Sequence, residues 1–201
     1  MSAAAQLIVI DGPAGAGKTT VARHLARHLG LPLLDTGAIY RSLALVARSR
    51  GIAWDDEAGL VTLAAGLPIR FGALPGPHEP DAPQRVWLGD DDVTEAIRTP
   101  EISEGASRVS VLPGVRKALL GLQRAIGAKG CVAEGRDMGT VVFPDAPFKF
   151  FVTADLEARA ARRHGDLEGA TASELSAVQA ELLSRDARDT SRAAAPLARA
   201  H

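Results

Sequence analysis

The sequence is poor in the features that stabilise small secreted or membrane-bound proteins. A single cysteine, Cys131, stands among 201 residues, so no disulfide framework is available, and no apolar run approaches the roughly 20 residues of a membrane span. Net charge is −1, which leaves no overall positive field of the kind that gathers nucleic acid nonspecifically. The first residues, Met1-Ser2-Ala3-Ala4-Ala5-Gln6, lack the basic region of a signal peptide. These absences predict a reduced, soluble, cytoplasmic protein held together by an apolar core. A chain of this length can bury about 70% of its unfolded surface as one domain with a small insert. Cys131 lies in the run Cys131-Val132-Ala133 and reads as a small core residue.

What the chain has is Gly12-Pro13-Ala14-Gly15-Ala16-Gly17-Lys18-Thr19, a phosphate-binding loop of the G-x-x-x-x-G-K-[ST] pattern, directly after the apolar run Leu7-Ile8-Val9-Ile10. Its glycines let successive N–H groups point into one concavity, and the helix starting at Lys18 adds its positive end. Lys18 is expected to reach the β- and γ-phosphates of a nucleotide, and the Thr19 hydroxyl to ligate Mg²⁺. Arginines crowd at Arg159, Arg162 and Arg163 and again at Arg185, Arg188 and Arg192, with Arg41, Arg116 and Arg136 elsewhere. Beside a phosphate loop such a group fits a small polyanionic substrate.

The pattern alternates strand and helix, which predicts an α/β fold with a central parallel sheet covered on both faces. A helix from Lys18 carries Val21, Ala22, Leu25, Ala26 and Leu29 at helical spacing and stops at Gly30. His24 and His28 lie four apart on it, and without a third ligand they read as solvent-facing. A strand over Leu31 to Leu34 leads into Asp35-Thr36-Gly37-Ala38-Ile39-Tyr40-Arg41 and a helix to about Arg50. From Gly66 to Pro100, two alternating segments (Pro68 to Phe71, Arg85 to Leu88) flank a Pro/Gly-rich turn, a small antiparallel insert. The acidic run Asp90-Asp91-Asp92 reads as a solvated turn. Helices fill Pro100 to Gly127 with a break near Pro113-Gly114, and strands follow at Cys131 to Ala133 and Phe148 to Val152. A helix then covers Asp155 to His164, a polar loop runs to Thr171, and Thr171-Ala172-Ser173-Glu174 forms a capping box for the next helix.

Five segments in order resemble the bacterial cytidylate kinases: the phosphate loop, Asp35 to Arg41, Asp92 to Arg98, Glu134-Gly135-Arg136-Asp137-Met138-Gly139-Thr140 with its continuation to Pro144, and Arg185 to Arg192. The resemblance covers nearly the whole chain. It implies the three-layer fold of P-loop nucleotide kinases, with a core over 1–65 and 101–201, a monophosphate-side insert at about 66–100 and a mobile lid at about 162–171. The implied reaction is Mg²⁺-dependent transfer of the γ-phosphoryl group of ATP to CMP or dCMP. By resemblance, residues Gly12 to Thr19 with Thr20 hold the ATP phosphates. Thr36, Arg41 and Arg136 hold the acceptor phosphate, and Ser107, Arg116 and Asp137 read the base. Arg185 and Asp189 contact the ribose, while Lys18, Arg163, Arg188 and Arg192 face transition-state charge. The base set has the right polarity for cytosine, whose N4 donates to a carboxylate such as Asp137 while N3 and O2 accept from Arg116 and Ser107. Uracil reverses that polarity and should be disfavoured.

In the family pattern the segment after Ala-Pro-Leu continues with a further strand and a final helix, whereas here Leu197-Ala198-Arg199-Ala200-His201 follow Pro196. The expectation is an uncovered sheet edge bearing Phe148, Phe150 and Phe151, and a weakened adenine site. Two other readings stay open from sequence: a P-loop kinase with another small-molecule acceptor, and a nucleotide-binding protein of reduced activity. Expected partners are ATP, CMP and dCMP, with no nucleic acid or membrane partner and a monomeric state.

Overall fold

The computed structural model describes residues 6–76, 78–79, 82–165 and 172–201. Strand β1 (Leu7–Asp11) lies inside a four-stranded parallel sheet with β2 (Leu33–Asp35), β6 (Cys131–Gly135) and β7 (Phe148–Phe151), in the order β2-β6-β1-β7. Strands buried on both faces need continuous apolar sequence, and Leu7 to Ile10 and Cys131 to Ala133 supply it. Alternate residues then face opposite ways. Ile8, Ile10 and Val132 pack with Ala22 and Ala26 of α1 (Lys18–Leu29), while Val9, Cys131 and Ala133 pack with Ile39, Leu43 and Ala47 of α2 (Thr36–Ser49). The expected three layers follow from this alternation.

Helix boundaries have local causes. Gly17, at φ 92°, and Gly30, at φ 65°, bracket α1 in the left-handed region, which glycine enters without a Cβ penalty. Asp35 caps α2, its carboxylate accepting from the Ala38 N–H at 3.0 Å. Strand β2 starts at Leu33 rather than Leu31, because the Leu31 N–H still donates to the Ala26 carbonyl at the end of α1.

Two elements were not foreseen from the sequence. Helix α3 (Glu57–Ala65), capped by Asp56, buries Leu60, Leu63 and Ala64 in the main core. In the insert, β3 (Ile69–Phe71) and β4 (Val86–Leu88) pair antiparallel as expected, but β5 (Asp91–Asp92) adds a third strand where a solvated turn was read. Asp92 earns the strand through its partners: it pairs with Arg85 at 2.7 Å and accepts from the Thr94 N–H. The predicted helical region after Pro100 is two helices, α4 (Pro100–Val109) and α5 (Pro113–Gly127), and Pro113 opens the second.

Beyond β6 the chain makes one π-helical turn, Met138–Val142, and then β7. Among the described residues β7 pairs only with β1, and Phe148 and Phe150 are each 52% exposed. The last residues lie beside it, with Lys149 Nζ donating to the His201 carbonyl and the Arg199 guanidinium 5.4 Å from the Phe151 ring centre. Helices α6 (Leu156–Gly165) and α7 (Ala172–Ser191) pack on each other through Leu156, Ala160, Leu175, Val178 and Leu182. The expected lid at 162–171 and the capping box at Thr171 fall partly on 166–171, outside the described residues. Among the described residues no helix is long and apolar enough to cross a membrane, and no three or more His, Cys, Asp or Glu cluster as metal ligands. His24 and His28 are exposed and Cys131 is buried.

Candidate active site

The C-terminal ends of β1, β2 and β6 open into a cavity of about 250 Å³. Parallel sheets place ligands at these ends, because helix N-termini and loops converge there. Ala14, Gly15, Lys18 and Thr19 form one wall, and Thr36, Arg41, Ser107, Arg116, Arg136, Asp137, Arg185 and Asp189 form the others. Arg163 and Arg192 also reach it, whereas Thr20 is exposed outside it and Arg188 does not line it.

The phosphate loop is fixed from beneath. Gly12 sits so close to β7 that a Cβ there would lie 1.9 Å from the Val152 carbonyl oxygen, so only glycine fits. Buried Arg159 donates to the Ala14 carbonyl at 2.9 Å and pairs with Asp186 of α7 at 2.7 Å, bracing the loop against both C-terminal helices. Lys18 Nζ donates to the Pro13 carbonyl at 2.7 Å, and burial together with the nearby Arg136 charge pulls its pKa down. Thr19 and Glu134 line the same part of the cavity, and the Glu134 carboxyl is raised by burial and by Asp35. Glu134 Oε1 is buried without a hydrogen-bond partner. An oriented, unsatisfied carboxylate oxygen beside a threonine hydroxyl suits a hard cation carried in on phosphate oxygens.

Asp35 does two things at once. One oxygen caps α2, and the other holds Arg41 Nη2 at 2.7 Å, which aims that guanidinium into the cavity. Burial would raise the Asp35 pKa, but Arg41 and the Ala38 N–H outweigh it and hold the group below the usual range. Asp11, also buried, accepts from the backbone N–H groups of Met138 and Gly139 and so fastens the turn that follows Asp137 to the strand that precedes the loop.

At the far end Arg116 Nη2 meets Asp137 Oδ2 at 2.5 Å, with both side chains buried, and Arg192 stands 3.9 Å from the other carboxylate oxygen. Arg136 and Arg192 converge on Asp189 at 2.6 and 3.5 Å. Arg192 Nη2 is buried without a hydrogen-bond partner, so this end holds an unmet donor. Burial, with the nearby charges of Arg136 and Arg163, pulls the Arg185 pKa down to about 10. The cavity lining carries seven lysine and arginine side chains against four carboxylates, an excess of positive charge that suits an anionic ligand. Arg188 is turned away, its guanidinium bound by both oxygens of Glu104 at 2.6 and 2.8 Å.

Sequence reasoning assigned no individual role to Glu134, Asp11, Asp35 or Glu104, and Arg159, read there among the arginines suited to a polyanionic substrate, instead braces the phosphate loop from beneath. For Glu134 a signal existed: a charged residue interrupts an otherwise apolar strand at the end where ligands bind.

The family model described as cytidylate kinase matches residues 8–201. Curated relatives agree over nearly the full chain. A protein named cytidylate kinase from Pseudomonas aeruginosa (strain LESB58) is 51% identical over 199 residues, covering 98% of this chain and 85% of its own. One of the same name from Pseudomonas savastanoi pv. phaseolicola is 51% identical over 204 residues, covering 100% and 87%. That from Azotobacter vinelandii is 49% identical over 199 residues, covering 98% and 85%.

Proposed function

This chain belongs to the cytidylate kinase family, and from that premise we propose how its residues divide the work of moving the γ-phosphoryl group of ATP to CMP or dCMP. The donor phosphates lie in the N–H cradle of Gly12 to Thr19 with Thr20 at its rim, and Lys18 leaves the Pro13 carbonyl to meet them. Thr36, Arg41 and Arg136 hold the acceptor phosphate, and Arg185 and Asp189 hold the ribose. Ser107, Arg116 and Asp137 read the base. Arg192, wedged between Asp137 and Asp189, belongs with this acceptor group. Arg163 and Lys18 remain to face the charge that builds on the transferring phosphoryl group.

Thr19 and Glu134 are the residues that would hold Mg²⁺. When bound, the ion neutralises charge on the phosphate oxygens. No strong base is required, since a phosphate monoester with second pKa about 6 is already largely dianionic at neutral pH. An acceptor phosphate oxygen bonds to the γ-phosphorus as its bond to the β-bridging oxygen breaks, giving ADP and CDP. The chain's contribution is positioning, exclusion of water and preorganised positive charge, where one arginine can supply about 10³ to 10⁵ in rate.

One observation carries this division: six arginines converge on the cavity that the phosphate loop opens into, with a buried Arg116–Asp137 pair at its far end. The reading includes the insert at about 66–100 as the acceptor-side unit and 162–171 as the lid. It also takes in a cytoplasmic monomer that acts without nucleic acid or membrane. A coupled ADP-release assay across CMP, dCMP, UMP, AMP and GMP tests it. CMP and dCMP should dominate, and Lys18→Ala should nearly abolish turnover. Preference for AMP would overturn the base assignment.

A further inference from the structure

Helices α4 and α7 face each other across the acceptor end of the cavity, yet their apolar residues belong to different clusters. Ala106 and Val109 of α4 pack into the main core, whereas Val178 and Leu182 of α7 pack with Ala14 and Ala160. No shared apolar cluster among the described residues therefore fixes the distance between them. The bidentate contact between Glu104 and Arg188 does span it, at 2.6 and 2.8 Å. A fork-to-fork pair constrains orientation as well as separation.

Its place in sequence gives the contact a purpose. Glu104 follows Ser103 and lies one turn before Ser107, both lining the cavity on the α4 side. Arg188 precedes Asp189 and lies one turn after Arg185, both lining it on the α7 side. The pair thus sits between two sets of contacts for one ligand. Other ties of Asp189 run to Arg136 and Arg192, on the β6 turn and past the end of α7, and leave α4 untouched. The Arg188 hydrogen bond draws the Glu104 carboxyl below its usual range, so the pair stays charged through neutral pH.

We propose that Glu104 is a positioning residue for the acceptor nucleotide: by gripping Arg188 it sets α7 at the distance from α4 at which Ser107 and the Arg185–Asp189 pair can hold one CMP together. It rests on the acceptor-site reading above. Arg188 then serves as the anchor of this tether rather than as a transition-state charge.

Steady-state kinetics on Glu104→Gln test it, a change at a half-exposed position. KM for CMP should rise about five- to tenfold, with kcat and KM for ATP within about twofold, the mark of lost ground-state positioning. The exchanged pair Glu104→Arg with Arg188→Glu should bring KM for CMP back toward wild type. An unchanged KM for CMP in Glu104→Gln, a fall in kcat instead, or an exchanged pair no better than the single variant would overturn the tether. Asp137→Ala serves as the control: if it too leaves KM for CMP unchanged, the acceptor-site reading falls and the tether with it. If Asp137→Ala is impaired and Glu104→Gln is not, the tether alone falls.

Discussion

Asp11 accepts a hydrogen bond from the backbone N–H of Gly139 at 2.8 Å, and its other oxygen takes the N–H of Met138 at the same distance. Asp11 precedes the phosphate loop and Met138 follows Asp137, so one carboxylate joins the donor and acceptor halves of the site. Asp11→Ala leaves two buried N–H groups unpaired and should cost about 2 to 4 kcal/mol in urea unfolding. Asp11→Asn, nearly the same shape but with one donor facing a donor, should raise KM for both nucleotides. A raised KM for one substrate alone would show that the two halves are set independently.

Gly37 allows Arg41 to fold back on Asp35. A Cβ at that position would lie 2.9 Å from Arg41 Nη1 and 3.0 Å from Asp35 Oδ1. Because the obstructing atoms end flexible side chains, Gly37→Ala should fold and displace the guanidinium. The expected result is a KM for CMP raised about tenfold, equivalent to about 1.4 kcal/mol of binding, with KM for ATP unchanged. Unchanged kinetics would remove Arg41 from acceptor binding.

The Arg116–Asp137 pair is buried, so removing one partner should hurt more than removing both. Asp137→Ala strands two neighbouring cations and should cost about 3 to 5 kcal/mol, while eroding the preference for CMP over UMP. Arg116→Met combined with Asp137→Leu should recover much of the stability and none of the preference. Differential scanning calorimetry and the CMP/UMP ratio of kcat/KM separate the two effects, and an unchanged ratio in Asp137→Ala would take Asp137 out of base reading.

Burial pushes the Cys131 thiol up to about 11. The unfolded chain therefore loses this proton first, and the native state holds more protons between its ordinary pKa and that value. Stability should fall as pH rises through this window, by on the order of 2 kcal/mol, and the slope should flatten in Cys131→Ala. At pH 8 the native thiol should resist alkylation and react only as the chain opens. Prompt labelling of the folded protein would contradict the burial.

The sequence made the parallel core legible because buried strands and glycine-bounded helices announce themselves locally. Helix α3 escaped notice because Glu57 to Ala65 is apolar on most sides, and only tertiary packing selects Leu60, Leu63 and Ala64. Strand β5 escaped because aspartates are poor strand formers, and its pairing depends on Arg85 and Thr94. The phosphate-loop residues came from motif chemistry and the acceptor-side residues from the family resemblance, whereas the fates of Arg188 and Arg192 turn on Glu104 and on Asp137 and Asp189. The Glu104–Arg188 pair spans 84 residues, a separation that local pattern does not reveal.

The six cavity arginines come from α2, α5, the β6 turn, α6, α7 and the segment after α7. No fragment of the chain holds a quorum of them. Their mutual repulsion opposes gathering until the surrounding strands and helices have closed, so the cavity is assembled only as folding finishes. Recovery of turnover during refolding should accordingly lag the return of helical signal, making catalysis a clock for the last step of folding rather than for collapse.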